Sequence, residues 1–408
     1  MAGRKKKQNP RRLAAVLCMV MCMVTAALCA VAVLGGKGIS GLSEMAAQLS
    51  FPKEEAEKSS SGEHVSSGST SGESDAQAPL SSVPSEIRAV TLRAGEDFPA
   101  RGDESAVKPA IDDALAAVEQ MEVMNAVVIE TRTADGTVIY DSGAFESAAG
   151  EFDALAYAID AAREKGFAVF TTYYLTDCVT EDIPAVQKTV NASVMDTVAV
   201  DAHAFASKYA PDGILADGYY NVTDSSAYRR YLRYGGAGGY EEYIRSISGA
   251  LLRTAKAAFR AENPSIRFGI QSEAAWANDY EDERGSATKA LFCALTEGNA
   301  DTLSFLEEGL ADFLAVKAYG SLDDGNIPFA VVAAWWSDAA KEAGVPLYIV
   351  HAADRAVTDA AGWGEYDQIA RQVIDARALP GYSGSVFNSL SRMRENPSDF
   401  AQKLIGYY

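Results

Sequence analysis

The feature that most constrains the fold is a repeated alternation of two kinds of segment after residue 86. Eight short runs of β-branched and other apolar residues predict strands at 87–92, 126–131, 167–174, 213–219, 266–272, 313–319, 347–352 and 384–389. Segments with helical periodicity lie between them, at 110–121, 152–165, 240–261, 287–308 and 366–378. Strands that are separated by helical crossovers pair in parallel. Eight such units predict the α/β class and a single (β/α)8 TIM barrel over residues 86–408.

A doubly wound open sheet is the alternative arrangement for the same elements. That fold commonly carries a glycine-rich phosphate-binding loop after its first strand. No such loop follows residues 87–92. The sequence therefore favours the closed barrel.

The N-terminus predicts a membrane anchor. Residues 1–12 contain six basic residues, and residues 13–36 contain no charged residue. About 20 apolar residues cross the hydrocarbon core of a bilayer, and the basic flank stays on the cytoplasmic side. We therefore expect a single-pass membrane protein whose barrel is extracytoplasmic. A cleaved signal peptide, which would give a secreted protein, is the alternative.

Residues 37–85 separate the anchor from the barrel. Their second half is rich in Ser and Gly and has few large apolar side chains, which predicts a disordered linker. The whole chain has a formal net charge of −20, and its basic cluster precedes the apolar run. Because an acidic domain repels phosphate backbones, nucleic acid is excluded as a partner.

Polar residues near the strand ends predict a functional site. In a (β/α)8 barrel the working side chains lie at the C-terminal strand ends and in the loops that follow, and alternation along a strand decides which side chains share a face. This pattern predicts a mouth that is lined by Glu130, Arg132, Asp217, Tyr219, Gln271, Glu273, Lys317, Tyr319 and His351.

These strand ends also carry a set of short motifs in a fixed order. They are Glu86-Ile87-Arg88-Ala89-Val90, Arg132 with Tyr140-Asp141-Ser142, Asp212-Gly213-Ile214-Leu215-Ala216-Asp217-Gly218-Tyr219, Phe268-Gly269-Ile270 with Trp276-Ala277-Asn278, Asp312 with Tyr319, Trp335-Trp336, Leu347-Tyr348-Ile349, and Gly384 with Phe387. The set resembles the glycosyl-hydrolase-like ten family, bacterial TIM-barrel proteins, over residues 86–392. The resemblance implies a glycoside-hydrolase-like barrel and adds Trp276 and Asn278 to the expected substrate-binding residues.

The chain departs from that family pattern at the mouth. Gly218 replaces the second Asp of the fourth-strand motif, Lys317 and His351 replace Gln residues, and Glu273 replaces an aromatic residue. The scaffold is therefore kept while the mouth is changed. Two outcomes are consistent with this change: a different substrate, or loss of catalysis.

Glycosidic bond cleavage generally needs two carboxylates, one as acid and one as nucleophile or base. Asp217 is the expected nucleophile or base, and Glu273 on the neighbouring strand is the expected acid, with Glu130 as second choice. The sequence thus predicts a membrane-anchored glycoside hydrolase that acts on a cell-wall or extracellular polysaccharide. The alternative is an inactive barrel that binds glycan or organises the cell envelope. No cofactor is implied, and no metal site is expected: Cys178 and Cys293 lack the spacing of zinc ligands and have no His nearby.

Overall fold

The computed structural model of the chain describes residues 83–142, 145–150, 152–175, 192–220, 232–233, 238–357, 363, 367–394 and 402–408. All of these residues lie within one compact unit, residues 76–408. The predicted basic segment 1–12, the predicted anchor 13–36 and nearly all of the linker 37–85 lie outside the described residues. Among the helices that the structure describes, none combines the length and apolar character needed to cross a membrane.

Eight parallel strands form a closed barrel in chain order. They are β1 (Ile87–Arg93), β2 (Ala126–Glu130), β3 (Ala168–Tyr174), β4 (Gly213–Asp217), β5 (Arg267–Ser272), β6 (Phe313–Ala318), β7 (Leu347–His351) and β8 (Tyr382–Phe387). The barrel closes where Ile87 of β1 pairs with Gly384 of β8. The predicted barrel and all eight predicted strands are confirmed, with boundaries that differ by at most two residues.

Helices connect the strands around the outside of the barrel. They are α1 (Glu104–Glu119), α2 (Ala154–Glu164), α3 (Ala192–Lys208), α4 (Tyr240–Glu262), α5 (Thr302–Glu307), α6 (Phe329–Ala343), α7 (Asp367–Arg377) and α8 (Leu390–Met393). Amphipathic helices of this kind bury one apolar face against the strands.

The predicted helix at 287–308 is wrong for most of its length, because only α5 forms there. The side chain of Asn278 forms hydrogen bonds with the main chain of Ala290, inside the range that was predicted to be helical. Its Oδ1 accepts from the Ala290 N–H at 2.8 Å, and its Nδ2 donates to the Ala290 carbonyl at 3.1 Å. Asp301 then caps α5 by accepting from the Ser304 N–H. Side-chain bonds of this type compete with helical hydrogen bonds and delay the start of the helix.

Alternation along each strand separates two apolar layers. Outer-face residues such as Val127 and Ile129 join the layer that packs against the helices. Inner-face residues such as Val128 and Leu215 join a separate cluster inside the barrel. Strands of a parallel barrel are therefore apolar on both faces.

An aromatic group fills the barrel interior below its C-terminal opening. The rings of Phe170, Phe313 and Tyr348 lie 5.0–6.1 Å apart between centroids. Gly213 and Gly269 make room for two of them, because an added Cβ would lie 2.7 Å from Phe170 and 2.2 Å from Phe313. This packed layer is a floor, so the inward residues further along each strand form the C-terminal mouth.

Candidate active site at the barrel mouth

The mouth is built by strand alternation beyond the aromatic floor. Asp217 lies two residues after the inner-face Leu215, and Lys317 lies two residues after the inner-face Ala315. The same rule applies to the other strands. The side chains placed at the mouth in this way are Arg93, Glu130, Tyr174, Asp217, Gln271, Glu273, Lys317, Tyr319 and Asn388.

Lys317 joins the two carboxylates that the sequence singled out. Its Nζ lies 3.2 Å from Asp217 Oδ2 and 3.0 Å from Glu273 Oε1. Because both oxygens contact one nitrogen, they are at most about 6.2 Å apart. The side chain of Asp217 is 3% exposed and that of Glu273 is 28% exposed. We call these three residues the carboxylate–lysine triad.

The charge on Lys317 is fixed by its neighbours. Burial by itself would lower the pKa of this ammonium group, but the charges of Asp217 and Glu273 raise the pKa well above its ordinary value. Lys317 is therefore protonated at any physiological pH. It holds a positive charge between two acidic groups in a site that is largely closed to water.

Asp217 is oriented by the turn that follows β4. Its Oδ1 accepts a hydrogen bond from the Gly218 N–H at 2.7 Å. Gly218 has a φ of +72°, the left-handed conformation that glycine adopts without the steric cost of a Cβ. A glycine at this position therefore allows a turn in which a backbone N–H donates to the carboxylate of Asp217, the candidate nucleophile.

A second charged group lies on the other side of the mouth, centred on Arg93. Its Nε lies 3.3 Å from Glu130 Oε2, and its Nη1 lies 3.5 Å from Glu96 Oε2. Its Nη2 donates to Asn388 Oδ1 at 3.1 Å. Glu130 also accepts from the Tyr174 hydroxyl at 3.1 Å. Arg93 thus supplies a guanidinium to Glu130, although Arg93 was not among the predicted mouth residues.

Tyr319 lies between the two charged groups of the mouth. Its hydroxyl accepts from Asn388 Nδ2 at 2.7 Å, so it is tied to the Arg93 side of the mouth. Burial raises the pKa of Tyr319, although Lys317 and Arg93 act in the opposite direction. The hydroxyl is therefore a neutral donor at physiological pH.

Asp354 adds a third half-buried carboxyl group in the loop after β7. Burial raises the pKa of Asp354, and Arg93 and Arg355 offset part of that effect. A raised pKa is the property that a proton donor requires. Asp354 follows the strand end by three residues, so strand alternation gave no signal for it.

Tyr219 lies behind the mouth and supports β5. It is fully buried, and its hydroxyl donates to the main-chain carbonyl of Gln271 at 2.8 Å. The adjacent Tyr220 hydroxyl accepts from the Glu273 N–H at 3.2 Å. The expectation that Tyr219 lines the mouth is therefore wrong, because its ring joins the outer apolar layer. The pair fixes the backbone that carries Glu273.

Trp276 is enclosed and does not offer a free ring face. The side chain is fully buried, with Trp335 stacked at 6.1 Å on the ring and the Arg284 guanidinium at 4.7 Å. Its Nε1 donates to Asp301 Oδ1 at 3.0 Å. Trp276 was expected to contact the substrate, but its ring is enclosed. It packs inside the loop between β5 and α5 instead.

Asn278 is likewise buried and engaged in the loop. Besides its two bonds to Ala290, it donates to Glu281 Oε2 at 2.9 Å and accepts from Thr288 Oγ1 at 2.9 Å. These bonds satisfy the side-chain amide. Asn278 was expected to bind the substrate, but its side chain holds the loop after β5 together instead.

Arg132 lies at the rim, behind Tyr174. Its Nε donates to the Gly136 carbonyl at 2.7 Å, and its guanidinium lies 5.3 Å from the Tyr174 ring centroid. The residue is 6% exposed. Arg132 thus supports the hairpin after β2 and the wall of the mouth.

His351 faces away from the mouth, so the prediction for this residue is wrong. Alternation on β7 puts it with Leu347 and Ile349 on the outer face. Its two ring nitrogens lie 3.0 Å from Gln372 Oε1 and 3.0 Å from Ser385 Oγ. Burial lowers the pKa of His351 to about 4, although Gln372 partly offsets this shift. The imidazole is a neutral bridge between β7, α7 and β8.

Within the described ranges, no group of three or more His, Cys, Asp and Glu side chains is arranged to hold a metal ion. The chemistry that the mouth supports with its own residues is that of carboxylates, an ammonium group and hydroxyls.

A closed (β/α)8 barrel with carboxylates at its C-terminal mouth has a glycoside-hydrolase-like architecture. No family model matches the chain. The chain is 26% identical over 216 residues to a glycosyl hydrolase named YngK from Bacillus subtilis, covering 53% of this chain and 41% of that protein. It is 29% identical over 175 residues to the glycosyl hydrolase DigH from Escherichia coli, covering 41% of this chain and 37% of that protein. It thus spans well under half the length of these curated relatives.

Solved structures give the same fold. The glycoside hydrolase domain of PgaB from Bordetella bronchiseptica superposes with a TM-score of 0.56 at 12% identity, covering 78% of this chain and 98% of that domain. An endo-1,4-β-D-mannanase from Thermotoga petrophila superposes with a TM-score of 0.51 at 15% identity, covering 74% and 88%. Sequence and fold comparisons together support a glycoside-hydrolase-like barrel.

Proposed function

We propose that this chain is a glycoside hydrolase that acts on a glycan, with Asp217 and Glu273 as its carboxylate pair. The observation that carries the proposal is their placement on neighbouring strands, with contacting oxygens at most about 6.2 Å apart. Retaining glycosidases hold their carboxyl groups about 5–5.5 Å apart, and inverting ones about 6.5–9.5 Å. The similarity to two proteins named glycosyl hydrolases supports the same reaction class.

Asp217 takes the role of nucleophile. It is the more buried carboxylate, and Lys317 and the Gly218 N–H hold its two oxygens in place. In the first step a carboxylate oxygen of Asp217 bonds to the anomeric carbon as the glycosidic bond breaks. In the second step water replaces Asp217 and releases the sugar.

Glu273 takes the role of acid in the first step and base in the second. It is the more exposed carboxylate, so it can reach the leaving oxygen. A protonated Glu273 attracts an ammonium group less strongly than the Asp217 carboxylate does, so Lys317 stays with Asp217 when Glu273 carries the proton. Glu130 is the second choice for the acid, because it lies on the other side of the mouth from Asp217, in an ion pair with Arg93.

The remaining mouth residues are proposed to bind the sugar. Gln271, Lys317, Tyr319 and Glu130 present polar groups toward the barrel axis, and Arg132 supports the rim. Hydroxyl groups of a sugar both donate and accept hydrogen bonds, and these side chains supply partners of both kinds.

A second candidate function is a catalytically inactive barrel that binds glycan or organises the cell envelope. The specific observation in its favour is the position of Lys317 between the two carboxylates. A lysine that remains in that gap excludes the glycosidic oxygen from it. Hydrolysis therefore requires the substrate to displace Lys317 from Glu273.

We also propose a family and a location for the chain. The strand-end motifs support membership of the glycosyl-hydrolase-like ten family, and the apolar segment 13–36 supports a membrane-anchored protein with an extracytoplasmic barrel. A cell-wall or extracellular polysaccharide fits that location.

The test measures both reaction and binding with the full chain. Bacterial and plant polysaccharides are assayed for release of reducing ends and, in parallel, for retention of the protein on the insoluble polymer. Release from one or more of them supports the hydrolase. Retention with no release on any polymer supports the inactive barrel, and neither release nor retention overturns both functions.

A further inference from the structure

A cavity of about 500 Å³ opens beside the mouth. It lies between the loop that follows β1 and the hairpin that follows β2, both of which project from the C-terminal end of the barrel. Small residues such as Ala94 and Gly95 give it room. Its polar groups are those of Glu96, Arg101, Thr133, Asp135 and Thr137. A volume of this size is typical of small-molecule sites.

The wall on the β1 side is held by its own hydrogen bonds. The Asp97 carboxylate accepts from the Arg93 N–H at 2.7 Å, and the Gly95 N–H donates to the Phe98 carbonyl at 2.8 Å. Phe98 is buried against the apolar core. This loop therefore forms its side of the cavity without a ligand.

The wall on the β2 side is a tight hairpin. The Thr133 N–H donates to the Thr137 carbonyl at 2.9 Å, and the Asp135 carboxylate accepts from the Thr137 N–H at 3.2 Å. Preformed walls of this kind bind a ligand without the entropy cost of ordering a loop.

The cavity and the mouth share an ion-pair network. Glu96 lines the cavity and pairs with Arg93 Nη1, and the Nε of the same guanidinium pairs with Glu130 at the barrel axis. A row of three charged side chains thus runs from the mouth into the cavity. The cavity is therefore a near neighbour of the mouth, at the distance of one ion-paired guanidinium.

We propose that this cavity is a subsite for an additional sugar unit of the glycan bound at the mouth. The proposal rests on the proposed glycan-directed function. Carboxylates and threonine hydroxyls accept from sugar hydroxyls, and Arg101 donates to them. No aromatic ring is among the described residues that line the cavity, so recognition is by hydrogen bonds and not by stacking.

The charge of the cavity selects among sugars. Glu96 and Asp135 contribute two negative charges, whereas Arg101 is already paired with Glu146 at 3.4 Å. A carboxylated or sulfated sugar would meet repulsion there. The subsite is therefore specific for a neutral or amine-bearing sugar.

The test fills the cavity from its exposed rim. Ala134 lines the cavity and is solvent-exposed, so Ala134→Trp occupies the space without disturbing the core. Ala257→Trp, at an exposed position of α4, is the matched control. Arg101→Ala is a second variant that removes a donor from a 64% exposed side chain and does not depend on the hairpin tolerating a tryptophan.

The full chain and its variants are applied to an array of bacterial and plant oligosaccharides, each present in a short and a long form. We expect Ala134→Trp to weaken binding of the long form by about tenfold or more, and Arg101→Ala by several-fold, with short forms and Ala257→Trp unchanged. Equal binding of long forms by wild type and both cavity variants overturns the subsite while leaving the proposed function intact. Binding of no glycan by the wild type overturns the proposed function, and the subsite with it.

Discussion

At the scale of single residues, Asp217 shows what a nearly enclosed carboxylate requires. Removal of a charge from water costs several kcal/mol unless partners replace the solvent. Lys317 supplies an opposite charge at 3.2 Å, and the Gly218 N–H supplies a hydrogen bond at 2.7 Å. Because one partner is the next backbone N–H and the other lies on β6, two strands away, the carboxylate is held in one orientation toward the barrel axis.

The backbone conformation of Gly218 makes this position sensitive to substitution. We expect Gly218→Ala to lower the free energy of unfolding by about 1–2 kcal/mol, because an L-residue pays that cost at a φ of +72°. Catalysis should fall further than stability explains, since the N–H that orients Asp217 moves. Urea unfolding and hydrolysis rates measure the two effects. Gly218→Asn is the control, because asparagine tolerates this conformation better, and equal losses in both variants would contradict the argument.

Strand alternation predicted part of the mouth and missed the rest for identifiable reasons. Asp217, Glu273 and Lys317 lie on or beside regular strands, so parity placed them correctly together. Arg93 was missed because the predicted first strand ended one residue early, at Leu92. Parity with the inner-face Ala89 is the signal that identifies Arg93 as a mouth residue.

Positions beyond the strands were harder to predict. Trp276 and Asn278 lie in a long loop, where alternation carries no information about direction. Their burial depends on partners distant in sequence, such as Asp301 and Ala290, that only the fold brings near. His351 was different: alternation with Leu347 predicts the outward face that the structure shows, and its position at a strand end was given too much weight.

At the scale of elements, the outward His351 explains how β7 is joined to its surroundings. The imidazole bridges Gln372 of α7 and Ser385 of β8 and is stacked between Phe329 and Phe387. A ring enclosed on both faces by phenyl groups is stable in its neutral form. Its protonation is therefore coupled to the packing of three elements.

This coupling predicts a pH dependence of stability. The pKa of His351 is about 4 in the folded chain and about 6.5 when unfolded, so the unfolded chain binds the proton first as the pH falls. Stability that is present above about pH 6.5 is lost progressively down to pH 4. Between pH 7 and pH 5 the loss from this residue is about 2 kcal/mol.

The measurement is the difference between wild type and His351→Gln in the free energy of urea unfolding at pH 7 and pH 5. We expect the variant to be less stable at pH 7 and to lose less on acidification. Burial raises the pKa of Asp97 to about 6, so this residue adds stability as the pH falls. That contribution is the same in the wild type and the variant, and it cancels when their free energies of unfolding are subtracted. His203→Gln, at an exposed position of α3, is the control. An unchanged pH dependence in His351→Gln would refute the assignment.

The neighbouring positions of β4 and β5 predict the stereochemistry of hydrolysis. Their carboxylates share one lysine, and this brings their contacting oxygens below the separation that admits a water molecule between carboxylate and sugar. The product should therefore retain the anomeric configuration of the substrate. Proton magnetic resonance of the first-formed anomer measures this directly, and an inverted product would show that another carboxylate, such as Asp354, provides the base.

At the scale of the whole molecule, the barrel followed from the sequence because its signal is repeated eight times. A single short apolar run is ambiguous, but regular alternation with helical segments leaves few topologies. The predicted helix at 287–308 was the exception, because side chains such as Asn278 form hydrogen bonds with backbone groups that a helix would use. The anchor, the linker and the extracytoplasmic location stay predictions, because they concern residues outside the described ranges.

If the barrel cleaves glycans through Asp217, removal of the charge on that side chain abolishes the reaction. Reducing-end release by the full chain is measured beside Asp217→Asn, which keeps the shape of the side chain and removes its charge. Asp338→Asn, at an exposed position of α6, is the matched control. We predict that Asp217→Asn lowers release by about a thousandfold or more while glycan binding persists, and that Asp338→Asn matches the wild type. Release by Asp217→Asn at the wild-type rate would contradict the account.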